Sequence, residues 1–254
     1  MSVKIAIANQ KGGAGKTTTA ICFAQELIRK KKRVLFIDTD AQCNSSTFYK
    51  AQIENTATLI DILCADEPAK NCIQHTEKGD IIPSDPQLSE AETSVKMDER
   101  RFSHLKRSCK GIENEYDYIV LDTPPAIGVS LKNVLNYADY VIIPVDESGW
   151  SVSGLMDFIN AIDLARDNNE NLKIAGIVTI KAKERTNKSK RMSQHVDKLA
   201  ESIGTKHFKT KIRESVACSE ALTEYFVPLH EYAPTSTTCE DYAALVKEFL
   251  KEVK

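Results

Sequence analysis

Two hydrophobic patterns alternate along the chain. Val3–Ala8, Val34–Asp38, Gly79–Ser84, Tyr116–Asp122, Asp139–Asp146 and Lys173–Ile180 are short runs dense in aliphatic and β-branched residues. Such runs predict strands covered on both faces. Between them the spacing changes to that of helices. Thr17–Arg29 aligns Ala20, Ala24, Leu27 and Ile28; Thr58–Ala65 aligns Leu59, Ile62 and Leu63; Ser148–Arg166 aligns Leu155, Phe158, Ile159, Ile162 and Leu164. Cys239–Lys254 places Tyr242, Leu245, Val246, Phe249, Leu250 and Val253 on one helical stripe. From Asp85 to about Lys110 the chain is polar, with Leu88, Ala91, Val95, Phe102 and Leu105 spaced for helices. Strands that alternate with helices pair in parallel through right-handed crossovers, so the expected fold class is α/β: a doubly wound, mostly parallel sheet flanked by helices. In such a sheet ligands meet the carboxyl ends of the strands.

The first strand runs into Gln10-Lys11-Gly12-Gly13-Ala14-Gly15-Lys16-Thr17-Thr18 and then into the first helix. A glycine-rich turn turns consecutive N–H groups inward, and the following helix adds the positive end of its dipole. Gly15-Lys16-Thr17 completes a phosphate-loop signature, with an ammonium for the β- and γ-phosphates and a hydroxyl for Mg²⁺. The usual first glycine of that signature is replaced by Gln10, and a second lysine, Lys11, opens the loop. Two strands end in carboxylate, at Asp38 and Asp122, and Asp40 follows the first of them. Beside a phosphate loop, Asp38 and Asp122 are candidates for the Mg²⁺ shell and Asp40 for orienting a water; alone, each could simply end a strand.

Composition narrows the field. A chain of 254 residues with this pattern is expected to form one domain, 1–254. A formal charge of −2 leaves nucleic-acid binding to a local patch. Seven cysteines without C-x-x-C pairs, in a chain that opens on a strand with no apolar leader, predict reduced thiols and a cytoplasmic location. No apolar run approaches the roughly 18 residues of a membrane span, so any membrane role is peripheral. The run Arg29-Lys30-Lys31-Lys32-Arg33 complements a helix C-terminus and is expected to be solvated. Lys181 to Arg191 carries six basic residues against one acid, the most concentrated positive segment. It serves either as a phosphate contact or as a solvated loop.

Lys11-Gly12-Gly13-Ala14-Gly15-Lys16-Thr17 resembles the deviant Walker A motif of the ParA/MinD family of partitioning and positioning ATPases. Asp38-Thr39-Asp40-Ala41-Gln42-Cys43-Asn44 is similar to that family's switch I, D-x-D-P-Q-G-N, with Ala41 and Cys43 in place of proline and glycine. Asp122-Thr123-Pro124-Pro125 matches its D-x-P-P. The resemblance implies ATP and Mg²⁺ as cofactors, held on Gly12, Gly13, Ala14, Gly15, Lys16, Thr17 and Thr18. Lys16 would lie on the phosphates, Thr17, Asp38 and Asp122 about the metal, and Asp40 beside the attacking water. Lys11 would reach the γ-phosphate of a partner subunit, which makes an ATP-dependent homodimer.

A ParA-type role implies non-specific DNA binding, a ParB-like centromere-binding partner that stimulates hydrolysis, and a nucleoid-associated place in the cytoplasm. The DNA candidates are Lys181, Lys183, Arg185, Lys188, Lys190, Arg191 and Arg213. Lys209–Ala221 is similar to the family's I-P-R-x-V-R-x-S-E-A motif, but Ala217 stands where the family has a DNA-contacting arginine. The aspartate that frames the adenine in the family is absent as well. Two alternatives share the scaffold: a MinD-like membrane-associated ATPase and a metabolic ligase. Against the first, the polar face of the last helix mixes Glu240, Asp241, Glu248 and Glu252 with Lys247, Lys251 and Lys254 and so lacks a cationic bias. Against an iron–sulfur reductase, the cysteines form no cluster pattern.

Overall fold

A computed structural model of the chain describes residues 2–90, 101–146, 152–183 and 187–253, with the side chains of 152, 153 and 187–190 outside the description. The runs of aliphatic residues become a seven-stranded sheet: β1 (Val3–Ile7), β2 (Val34–Asp38), β3 (Gln74–Thr76), β4 (Gly79–Ile82), β5 (Tyr118–Asp122), β6 (Tyr140–Asp146) and β7 (Lys173–Ile180). Their spatial order is β3-β4-β2-β5-β1-β6-β7. Every pairing is parallel except the β3–β4 hairpin. β3 is a polar Gln-His-Thr edge strand, so no hydrophobic run announces it.

Eleven helices are described: α1 (Lys16–Arg29), α2 (Asn44–Tyr49), α3 (Leu59–Ala65), α4 (Ala69–Cys72), α5 (His104–Ser108), α6 (Val129–Tyr137), α7 (Val152–Arg166), α8 (Asn187–Ser202), α9 (Val216–Thr223), α10 (Leu229–Tyr232) and α11 (Thr237–Glu252). Those on one sheet face bury Leu59, Ile62, Leu131, Val134, Phe158 and Ile162. The opposite face buries Phe23, Leu27, Phe48, Leu245 and Phe249. Ala91, Val95, Arg100 and Trp150 lie outside the described residues.

α1 is enclosed between sheet and α11, with Phe23 and Phe249 edge to face at 5.4 Å. The apolar stripe of the last helix is therefore spent on the domain itself. At the end of α1, Arg29 and Lys30 pair with Glu26 at 2.6 and 3.2 Å, and Arg33 pairs with Asp117 at 2.9 Å. Gly176 lets the segment after α8 approach β7: a Cβ there would lie 2.7 Å from the Phe208 ring.

The strand order reverses at β1, which has β5 on one side and β6 on the other. β1 feeds the glycine loop, so the loop stands at the topological switch point, where open α/β sheets form their ligand crevice.

Candidate nucleotide site at the switch point

Gly13 and Gly15 have φ of +70° and +64°, in the left-handed region that glycine enters without penalty. Gly15 is the residue before α1, and a Cβ on it would collide with Ile180 Cδ1. The loop is thus fixed by backbone conformation and by contact with the end of β7. Its entry is anchored by Asn9, whose amide donates to the Pro144 carbonyl at 2.7 Å and whose Oδ1 accepts from the Lys11 N–H at 3.1 Å. Lys181 closes the other side: its ammonium lies 3.2 Å from Asp146 Oδ2 and donates to the Gly13 carbonyl at 3.3 Å.

Lys16 is buried, and its Nζ donates back to the Lys11 carbonyl at 3.2 Å. Burial lowers its pKa, and the charges of Asp122 and Asp40 oppose that shift. Lys11 itself is exposed.

β2 and β5 are adjacent and in register, so Asp38 and Asp122 lie side by side, and both are fully buried. Burial raises both carboxyls; the Asp38 charge adds to the rise at Asp122 and the Asp40 charge to that at Asp38. α2 supplies the compensation. Ser46 donates to Asp38 Oδ2 from its N–H at 2.8 Å and from its hydroxyl at 2.7 Å, and Ser45 Oγ donates to Asp122 Oδ2 at 2.8 Å. The hydroxyls of Thr39 and Thr123 bond the carbonyls of Asp122 and Ile7 at 2.6 and 2.9 Å, which laces the strand ends together.

Asp122 Oδ1 is buried and accepts no hydrogen bond. A buried carboxylate oxygen without a donor is costly. The Thr17 hydroxyl bears on the same carboxyl. Thr17, the open oxygen of Asp122 and the neighbouring Asp38 make an all-oxygen set beside a phosphate loop, which fits a hard divalent cation that keeps part of its water. Asp40 is half-buried just beyond; its N–H donates to Asp38 Oδ1 at 3.1 Å, and its own Oδ1 accepts from the Gln42 N–H at 3.0 Å.

The loop that carries Asp40 enters α2 through a left-handed residue where the family motif has glycine. Cys43 adopts φ +53° and leads into α2, so it occupies the left-handed conformation that a glycine would take freely. A non-glycine residue there costs about 1–2 kcal/mol. Burial, followed by the Asp38 charge, pushes the thiol up to about 12 and keeps it protonated. Ser45 and Ser46 are site residues that sequence reasoning passed over. Their position just after Asn44 was visible, but only α2 turns their hydroxyls toward the two carboxylates.

The basic candidates are not all placed alike. Lys183 is exposed, 3.7 Å from Glu214, and Arg191 is exposed on α8. Lys188 and Lys190 occupy the start of α8, their side chains outside the description, and Arg185 lies outside the described residues. Arg213 is bound by Asp241 through Nε and Nη2 at 2.9 and 2.7 Å and donates to the Thr237 carbonyl at 3.1 Å. Lys181 and Arg213 are thus committed to contacts within the molecule.

Beside Gly15 and Thr18 opens a cavity of about 280 Å³, walled by Ile180, Ile212, Cys218 and Tyr242. No helix among the described residues is long and apolar enough to cross a membrane.

A family profile described as an AAA domain matches residues 2–174. The chromosome partitioning protein ParA of Myxococcus xanthus is 32% identical over 251 residues, which cover 97% of this chain and 87% of that protein. The sporulation initiation inhibitor protein Soj of Bacillus subtilis is 35% identical over 250 residues, 96% of each chain. Among solved structures, a plasmid partition protein from Borrelia burgdorferi has a TM-score of 0.74 at 29% identity and covers 99% of both chains. Cobyrinic acid a,c-diamide synthase from Mycobacterium smegmatis, with a bound ATP analog and magnesium, has a TM-score of 0.87 at 24% identity, covering 100% of this chain and 96% of that one, a likeness of fold.

Proposed function

The chain belongs to the ParA/Soj family of partitioning ATPases, and from that premise we propose that it is an ATP-switched dimer that binds DNA non-specifically and releases it on hydrolysis. The observation that carries the ATPase half is the convergence of a phosphate loop, a buried lysine and two buried carboxylates at the carboxyl ends of β1, β2 and β5. In the proposed site the loop N–H groups from Gly12 to Thr18 and the Lys16 ammonium hold the phosphates. Thr17, Asp38 and Asp122 hold Mg²⁺, which when bound supplies charge neutralisation across the phosphates. Asp40, at the mouth of the crevice, orients water toward the γ-phosphate. The cavity beside Gly15 and Thr18 takes the base and ribose.

Lys11 reaches outward to the nucleotide of a second copy, so ATP rather than ADP completes the interface. Its exposed place at the loop's outer edge supports that role. DNA contact is assigned to the exposed Lys183 and Arg191 with Arg185, Lys188 and Lys190; Lys181 and Arg213 have internal partners and are left out of it. A ParB-like partner triggers turnover, and nucleoid association follows from the DNA-bound state. A MinD-like membrane role is disfavoured because the stripe of α11 is buried against α1. The synthase likeness extends to the scaffold, which the two activities share.

The test is DNA retention with ATP against ADP across a salt series. Retention in ATP alone, falling steeply with salt and weakened by Lys188→Glu/Lys190→Glu/Arg191→Glu, is expected. Equal retention in both nucleotides, or charge reversal without effect, would remove DNA switching from the proposal. Substrate-dependent ADP release with neither DNA nor partner protein would favour the ligase.

A further inference from the structure

Five large hydrophobic side chains are exposed among the described residues, and three of them, Val216, Tyr225 and Tyr232, belong to α9, α10 and the turn between. The two tyrosine rings stack at 5.1 Å with an interplanar angle of 26°. Tyr232 Oη donates to Glu220 Oε2 at 3.1 Å, and Val216 stands one turn before Glu220 on the same side of α9. These contacts make the patch continuous across both helices. Its projection is fixed by the backbone: Phe226, immediately after Tyr225, is held at φ +50° while the Tyr225 N–H bonds the Glu220 carbonyl at 3.0 Å.

The polar groups around the patch are acidic. Glu220 and Glu224 both act on the Tyr232 hydroxyl, and Glu231 is exposed beside it. The cations nearby are engaged or lie at the rim: Arg213 is bound by Asp241, Lys183 lies 3.7 Å from Glu214 at the α9 start, and burial lowers the pKa of His230, 3.8 Å from Glu231. Lys78, at the rim, feels the charge of Glu231.

Exposed tyrosines are enriched in protein interfaces, and the carboxylates around these two suit cationic side chains, which pair with the acids and lie over the ring faces. The same charge repels phosphate, which excludes nucleic acid and anionic lipid as occupants.

We propose that the outer surface of α9 and α10 docks a basic protein segment carrying an aliphatic or aromatic anchor. The anchor seats against Tyr225, Tyr232 and Val216, and the cations face Glu220, Glu224 and Glu231. This face rests on its own surface chemistry and stands independently of the nucleotide assignment.

The probe is a fluorescein-labelled twelve-residue peptide alternating Lys and Arg with Leu and Trp, titrated with the full chain by anisotropy at low and moderate salt. An acidic peptide with Glu at the basic positions is the control. Binding of the basic peptide that weakens with salt is expected, with at least a tenfold loss in Glu224→Lys/Glu231→Lys and, separately, in Tyr225→Ser. Glu54→Lys/Asp85→Lys, on the distant acidic cavity, should change affinity less than twofold. Circular dichroism melts verify that each variant is folded, and the two independent lesions keep the outcome readable if one is not. No binding, indifference to Tyr225→Ser, or equal loss in the distant variant overturns the proposal. So does a concentration-dependent dimer without nucleotide that Val216→Asp returns to monomer, since the face would then belong to a second copy.

Discussion

At the scale of single residues the site is a balance of buried charge. Lys16 and the carboxylates of Asp38 and Asp122 are all withdrawn from water, and the serines of α2 satisfy only part of their bonding capacity. Removing Lys16 takes away a buried cation on which the charges of Asp122 and Asp40 act. Lys16→Ala is expected to abolish nucleotide-dependent turnover while the fold survives, checked by phosphate release beside a thermal melt. Asp40→Ala leaves the phosphate loop intact, so ATP should still bind and turnover should fall about 10²–10⁴-fold, the range of a lost proton-accepting group; single-turnover kinetics separate the two steps. The identities of these residues were legible in the sequence because phosphate and metal chemistry demand a fixed order of glycine, lysine, hydroxyl and acid. Ser45 and Ser46 were not, because a hydroxyl acquires its role only from the direction a helix gives it. Cys43 shows the converse. The chain lacks the glycine yet keeps its left-handed backbone, since neighbouring contacts over-determine the turn.

At the scale of elements, stability of the nucleotide face depends on α11. Glu248 accepts from the N–H groups of Lys209 and Thr210 at 2.9 and 3.1 Å and from the Thr210 hydroxyl at 2.8 Å, tying the segment before α9 to the last helix. Burial pushes its carboxyl up, but these bonds outweigh it, and the folded-state pKa lies below the usual glutamate value. A depressed carboxylate stabilises the fold above its unfolded pKa of about 4.3 and loses that contribution as pH falls through the folded value. Glu248→Gln should therefore lower the denaturation midpoint at neutral pH and narrow its gap from wild type near pH 3, measured by urea melts at both.

The strands of the sheet were read from their aliphatic runs except β3, and α2, α4, α6, α8, α9 and α10 were not foreseen. α2 and α4 are too short for a periodic signal, and β3 is polar because it lies at the edge.

At the scale of the whole molecule, the proposed dimer rests on Lys11, the exposed lysine of the loop, which would make one site half of a pair. Lys11→Ala should keep ATP binding and remove the ATP-induced doubling of mass in light scattering. A dimer that persists would separate assembly from the loop. The patch on α9 and α10 belongs to this scale too, since its tyrosines lie seven residues apart and meet only because Phe226 turns the chain.

The sequence by itself determined six of the seven strands, their parallel sense and the residue types at the switch point. Those follow from local periodicity and from a loop whose residue types are dictated by phosphate. Only the tertiary structure decided which charges are available. Lys181 and Arg213 read as free cations along the chain, but folding brings Asp146 to one and Asp241 to the other. An ion pair between residues dozens of positions apart leaves no trace in local sequence, so the partner of a charge, unlike its presence, is a property of the fold.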